Sequence, residues 1–233
     1  MAKGAGGEAD VIVVGGGGAG LAAASSAARL GRRVVLLEKA PTLGGTTAWS
    51  VGSISATGTP HQRRAGIKDS PDEHFEDLGL FAGPLTNRDN LHLRRILVDN
   101  ISETFEWLLS TGLVFSGPAA EPPHRFPRMH NVLPSSRAFP HHLGRHARAL
   151  GVHIRLNTRV SELVSSTGRI QGVVARSADG RDCQWIARNG VILASGDYSA
   201  NVDMKRELAG EPAARASAVN INSTGDGQRL AAL

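Results

Sequence analysis

Val11-Ile12-Val13-Val14-Gly15-Gly16-Gly17-Gly18-Ala19-Gly20 decides the fold. Four apolar residues that stop in glycines read as a strand buried on both faces. Leu21 to Leu30 is rich in alanine, has no breaker, and predicts a helix packed closely on a sheet, with Gly31 ending it. Arg33-Val34-Val35-Leu36-Leu37-Glu38 predicts a second buried strand. Strand, glycine turn, helix and strand within ~30 residues form a βαβ unit with a right-handed crossover. The turn satisfies G-x-G-x-x-G, and an acidic residue, Glu38, follows about 20 residues later. Gly15 permits the tight turn, Gly17 lets backbone approach a pyrophosphate, and Gly20 lets helix and strand pack closely. The helix N-terminus offers unpaired N–H groups to phosphate. A dinucleotide is the expected ligand, with Glu38 accepting from a ribose hydroxyl.

Glu38 suits an unphosphorylated ribose and disfavours NADP, but it does not separate NAD from FAD. The next loop, Gly44-Gly45-Thr46-Thr47-Ala48-Trp49-Ser50-Val51-Gly52-Ser53-Ile54, favours FAD. Its paired glycines allow close approach, and its hydroxyls can donate to phosphate or ribityl oxygens. NAD domains usually enter a regular helix at this point.

The chain has 233 residues, of which 41% are hydrophobic and only 4% aromatic, so an aliphatic core is expected. Lys and Arg number 26 against 21 Asp and Glu, a net charge of +5. The basic residues are scattered, with no run and no interleaved aromatics, which argues against a nucleic-acid partner and for a basic pocket facing an anionic cofactor or acidic substrate. The single cysteine, Cys183, excludes an internal disulfide and a cysteine-based metal site. No apolar run approaches the ~18 residues of a membrane span. Met1 to Asp10 lacks the form of a signal peptide, so a cytoplasmic location is expected.

Further along, Ser70-Pro71-Asp72-Glu73 reads as a helix start. A longer helix is predicted from about Arg88 to Ser110, with Leu93, Ile96, Leu97, Ile101, Phe105, Leu108 and Leu109 as its apolar stripe. Ser116 to Pro134 shows no period, and Ser135 to Leu150 predicts a helix. Strands are predicted at Val152–Leu156, Val173–Ala175, Cys183–Ala187 and Gly190–Ala194, with Asp179-Gly180 as a hairpin turn.

Val11 to Ala24, Glu38-Lys39, Gly44 to Ile54, Gly190 to Asn201 and Ser223 to Leu230 together resemble the fumarate reductase/succinate dehydrogenase flavoprotein superfamily. The resemblance is strongest to its soluble branch of fumarate reductases, urocanate reductases and 3-ketosteroid Δ1-dehydrogenases. It implies an α/β Rossmann-like FAD-binding domain over residues 1–233, with a parallel sheet, a β-meander and a helical excursion at about 66–150. Gly15, Gly17, Gly18, Ala19 and Gly20 would cradle the pyrophosphate, Glu38 would hold the ribose, and Lys39 would lie beside it. Gly45, Thr46 and Thr47 would continue along the phosphates and ribityl chain, and Ser50, Val51 and Gly52 would run under the isoalloxazine. Val160 would touch adenine, Ala194, Ser195 and Gly196 would pass the adenosine side, and Asp226 would bind a cofactor oxygen.

The same resemblance implies hydride exchange with a C–C or C=C bond beside a carbonyl or carboxylate, in a small unsaturated acid or a ketosteroid-like substrate. Family members continue into a cap domain and a closing segment. The 233 residues alone are therefore expected to bind FAD weakly and to be inert, completed by a C-terminal half or by a partner chain. Three positions depart from the family pattern: Ser53 for glycine, Ser195 for threonine, and Asp197 for the second glycine of A-T-G-G.

Several residues outside these motifs carry groups capable of chemistry. Arg125, Arg128 and His130 are candidates for the flavin edge, against the alternative of a solvated loop. His142 and His146 have metal-ligand spacing but no carboxylate to complete a site, so no metal is expected. Tyr198 reads as packing rather than catalysis, and Trp49 as shaping the flavin cavity or as core. No catalytic residue is identified.

Overall fold

The computed structural model describes residues 4–232. They divide into two units: one joins the chain up to Trp49 with Phe139 onward, and the other is Ser50–Ala138.

The first unit opens as the sequence predicts. Strand β1 (Gly4–Val14) runs into the glycine turn, helix α1 (Gly18–Arg29) leaves it, and β2 (Val34–Leu37) returns parallel to β1 with Val11 opposite Val34. Ile12, Val13 and Val14 and all of β2 are buried, which is why the two runs carry no alternation.

The second unit contains β3 (Ser53–Ser55), α2 (Pro60–Arg64), α3 (Pro71–Ala82), α4 (Leu91–Ser110), β4 (Val114–Ala119) and β5 (Met129–Leu133). Ser70 caps α3 by accepting from the Glu73 N–H at 3.2 Å, and Asn90 caps α4 by accepting from the Leu93 N–H at 3.1 Å. Helix α4 buries Val98, Ile101, Phe105 and Leu108 but leaves Leu93, Ile96 and Leu97 exposed, so the predicted stripe was too broad at its start. The excursion is not purely helical, because β3, β5 and β4 form an antiparallel sheet. The sequence concealed β5 because one of its two buried alternate positions is a histidine: His130 and Val132 face inward. It concealed β3 because two of its three residues are serines.

The chain then returns through α5 (Ala138–Ala149), β6 (His153–Arg155), β7 (Arg159–Ser166), β8 (Arg169–Arg176), β9 (Asp182–Leu193), α6 (Val202–Ala209), α7 (Glu211–Arg215) and α8 (Asp226–Ala231). The larger sheet has the order β6-β2-β1-β9-β8-β7, parallel from β6 to β9 and an antiparallel meander from β9 to β7. The two strands predicted on either side of Asn189 are one strand, β9. Its ladder with β1 steps from Ala9–Ala187 to Val11–Gly190, so β9 absorbs one extra residue as a bulge there. Ile12, Val14, Val35, Leu37, Val160, Val173 and Leu230 form the aliphatic core around Trp185. Among the described residues no helix is long and apolar enough to cross a membrane, and no group of three or more His, Cys, Asp or Glu is placed to hold a metal ion.

Candidate cofactor site

Strands β1, β2 and β9 end together in the first unit, and a cleft opens beyond their carboxyl ends, where parallel α/β sheets place ligands. Residues 14–19, 37–39, 45–47, 158–160 and 194–197 line it, together with Asn220, Asn222, Ser223 and Asp226.

The glycines of the turn divide into two kinds. A Cβ on Gly20 would stand 1.9 Å from the Gly15 carbonyl oxygen, and one on Gly15 would stand 2.4 Å from the Ala194 carbonyl oxygen. Those two let α1 and β9 close on the turn, and Gly20 accordingly lies behind the cleft rather than on its wall. A Cβ on Gly17 would meet nothing nearer than 3.7 Å, and one on Gly45 nothing nearer than 3.7 Å. These two glycines line the cleft, and a Cβ at either would make ordinary van der Waals contact without a clash.

The acid at the end of β2 is set by backbone. Glu38 accepts from the Gly16 N–H at 2.6 Å and from the Ala40 N–H at 2.7 Å, one bond to each carboxylate oxygen. The 44–47 loop is threaded just as firmly: the Gly44 N–H donates to the Gly16 carbonyl at 2.9 Å, and the Gly18 N–H donates to Thr47 Oγ1 at 3.1 Å. Thr46 Oγ1 lies 3.1 Å from Ser223 Oγ and accepts from Asn220 Nδ2 at 3.2 Å. The polar wall at Asn220 and Asn222 was not anticipated, although both residues stand directly before the recognised Ser223–Leu230 motif.

Lys39, Arg159 and Asp226 meet at one end of the cleft. Lys39 Nζ donates to Asp226 Oδ2 at 2.9 Å and to Thr224 Oγ1 at 2.7 Å. Arg159 donates to Asp226 Oδ1 at 2.9 Å. Burial opposes the charged form of Asp226, but the bonds from Lys39 and Thr224 and the charges of Lys39 and Arg159 hold its carboxyl below the usual range. Of the departures from the family pattern, Ser195 packs its hydroxyl against Gly227, where a Cβ would stand 2.2 Å from it. Asp197 accepts from the Ser199 N–H at 2.9 Å, and that bond lowers its pKa. Tyr198 packs its Cβ against Gly225.

Ser50, Val51 and Gly52 belong to the second unit, where the Gly52 N–H donates to Ser50 Oγ at 3.2 Å and Val51 is fully exposed at 90%. Trp49, at the end of a short 3-10 turn, is 59% exposed and is not core. Ser53 Oγ donates to Asn131 Oδ1 at 2.6 Å across β3 and β5, which gives that serine a structural partner.

Arg128 and His130 are buried and not free to meet a substrate, whereas Arg125 is exposed and held in ion pairs. Arg128 has no exposure and donates to both oxygens of Asp69, at 2.7 and 2.6 Å, and to Asp77 at 2.6 Å. Arg125 binds Asp77 at 2.8 Å and Glu76 at 2.7 Å, and His130 lies 3.0 Å from Thr59 Oγ1. Arg128 and His130 hold the interior of the second unit, and Arg125 pairs with Asp77 from its surface. His74, beside them, is fully buried with neither ring nitrogen bonded. Burial and the charge of Arg128 push its pKa down to about 4.

The profile of the FAD binding domain family matches residues 10–233. The chain belongs to that family. Its cofactor is FAD. The probable fumarate reductase Ifc3 of Shewanella frigidimarina is 30% identical over 210 residues, covering 87% of this chain and 34% of that protein. The urocanate reductase of Eggerthella lenta is 31% identical over 229 residues, covering 94% of this chain and 37% of that protein. The chain thus spans little more than a third of the length of either relative. Among solved structures, the open conformation of a flavocytochrome c3 fumarate reductase matches with a TM-score of 0.91 at 29% identity, over 98% of this chain and 41% of that one. The 3-ketosteroid-Δ4-(5α)-dehydrogenase of Rhodococcus jostii RHA1, solved with 4-androstene-3,17-dione, matches with a TM-score of 0.86 at 28% identity, over 98% and 54%.

Proposed function

We propose that this chain is the cofactor-holding part of an oxidoreductase that interconverts a C–C single bond with a C=C bond beside a carbonyl or carboxylate. The observation that carries the reading is the cleft itself. Gly17 and Gly45 line it with bare backbone, and it lies beside the N-terminus of a twelve-residue helix, α1. When bound, FAD supplies two-electron hydride exchange with a substrate carbon, a proton passing at the neighbouring carbon.

The chain's own residues bind and orient. The backbone of Gly15, Gly17, Gly18 and Ala19 cradles the pyrophosphate, and Gly20 keeps that backbone in place from behind. Glu38, already fixed by two N–H groups, turns its remaining lone pairs to the ribose. Gly45, Thr46 and Thr47 would follow the phosphates and ribityl chain. Val160 contacts adenine, and Ala194, Ser195 and Gly196 flank the adenosine. Fumarate reductase, urocanate reductase and ketosteroid dehydrogenase relatives support an unsaturated acid or a ketosteroid-like molecule as the substrate class.

A flavin absorption spectrum of the purified protein tests the cofactor site, and a screen of unsaturated acids and 3-ketosteroids with the complete protein tests the reaction. Reoxidation of reduced enzyme by an unsaturated acid, or reduction of oxidised enzyme by a saturated 3-ketosteroid, is expected. A colourless protein that takes up NAD and not FAD would overturn the reading.

A further inference from the structure

The adenosine end of the cleft holds an apparent contradiction. Glu38 is the residue type that accepts from an unphosphorylated ribose, yet Lys39 follows it directly and Arg159 lines the same end. An ammonium and a guanidinium beside a ribose are what a 2′-phosphate needs. The structure resolves this through Asp226. Its carboxylate takes Lys39 on one oxygen at 2.9 Å and Arg159 on the other at 2.9 Å, with Thr224 Oγ1 also donating to it at 3.0 Å. The Asp226 and Lys39 side chains are only 12% and 21% exposed, so this pair is shielded from salt and solvent far better than a surface pair.

We infer that Asp226 is a specificity-determining residue that neutralises Lys39 and Arg159 and thereby keeps the site selective for unphosphorylated adenosine nucleotides. The role is additional to direct contact with a cofactor oxygen, for which Oδ2 keeps a lone pair beyond its bond from Lys39. Both carboxylate oxygens are already engaged by the chain's own cations. Five charged groups line the cleft, Glu38, Lys39, Arg159, Asp197 and Asp226, with a sum of −1. Removing the Asp226 charge raises that sum by one and leaves Lys39 and Arg159 without their shared carboxylate. Removing the Lys39 charge lowers it by one, and the cleft then repels a 2′-phosphate more strongly. Asp226 reaches this position because α8 starts against β7, whose first residue is Arg159, and because Thr224 ties the preceding loop to Lys39 at the end of β2.

The inference rests on the dinucleotide reading of the cleft, and the test separates the two. Binding of 5′-ADP and of 2′,5′-ADP to the full chain is measured by calorimetry at fixed salt for wild type, Asp226→Asn and Lys39→Met, with circular dichroism reporting the fold of each. Wild type is expected to prefer 5′-ADP. Asp226→Asn shifts the ratio of affinities toward 2′,5′-ADP on the order of tenfold, and Lys39→Met shifts it the opposite way. Lys39→Met reads the same electrostatics should the Asp226 variant fold poorly. Ratios that match wild type in every folded variant overturn the role given to Asp226 while leaving the cleft intact. Failure of wild type to bind either nucleotide overturns the site reading itself.

Discussion

Replacing Gly20 and Gly17 separately by alanine tests whether the turn's glycines serve packing at one position and the cofactor at the other. At Gly20 the added methyl would lie 1.9 Å from the Gly15 carbonyl oxygen and 3.4 Å from the Ala194 Cβ. The obstructing atom is backbone, so no rotamer relieves it, and α1 must withdraw by more than an ångström. Overpacking of this kind costs ~1–3 kcal/mol, and this site belongs at the upper end. Alanine returns about 1 kcal/mol of helix propensity, leaving a net loss of about 2 kcal/mol. At Gly17 the backbone is extended (φ −78°, ψ −176°), which alanine adopts freely, and the nearest atoms stand at 3.7 and 3.9 Å. Only the N-cap preference is lost, at most about 1 kcal/mol. Urea denaturation followed by circular dichroism gives stability, and quenching of flavin fluorescence gives FAD affinity. Gly20→Ala should lose stability, and Gly17→Ala should stay near wild type while its FAD affinity falls about tenfold or more, a difference of ~1.4 kcal/mol. A stable Gly20→Ala protein, or a Gly17→Ala protein that binds FAD as wild type does, would refute the division of roles.

Two further outcomes follow from the second unit. Arg128→Met strands the fully buried Asp69 carboxylate and leaves Asp77 to Arg125 alone, so denaturation at neutral pH should show a loss of about 3–5 kcal/mol; a loss below about 1 kcal/mol would mean that the carboxylates regain water. His74 has a folded pKa of about 4 against an ordinary 6.5, so the unfolded chain takes its proton first, and stability should be full above 6.5 and fall as the pH drops towards 4. His74 alone accounts for up to roughly 3 kcal/mol of that fall, and His124 and His130, also lowered chiefly by burial, add to it. Asp69 and Asp77 are held below 3.8 and act only at lower pH. His74→Phe should flatten the slope between those limits, and an unchanged slope would remove His74 from the account.

The first βαβ unit was legible because its signals are local: a continuous apolar run, glycines in a fixed pattern and a helix without breakers. Much of the cleft followed from it, since a parallel sheet delivers its loops to one edge and short motifs name those loops. The interior of the second unit stayed hidden because its pattern is not apolar. Arg128, His74 and His130 occupy buried positions normally given to aliphatic residues, and Arg128 finds Asp69 and Asp77 at separations of 59 and 51 residues. No local period encodes such a pairing. Similarly, Arg188-Asn189-Gly190 has the composition of a turn, and only the partner strand β1 shows that the chain runs through it.

The place of β9 between β1 and β8 has a consequence for synthesis. β1 leaves the ribosome well before its inner neighbour, because Val11 faces Gly190, about 180 residues later in the chain. At about 5–20 residues per second that gap lasts on the order of ten to forty seconds. Throughout it, Ile12, Val13 and Val14 present an apolar edge with an unfilled ladder, the kind of edge that recruits foreign strands. The intervening second unit emerges meanwhile with a sheet whose strands all lie within its own span. Chaperone demand should therefore concentrate on the interval before β9 appears, and the glycine turn takes its final shape only when Ala194 arrives to close on Gly15.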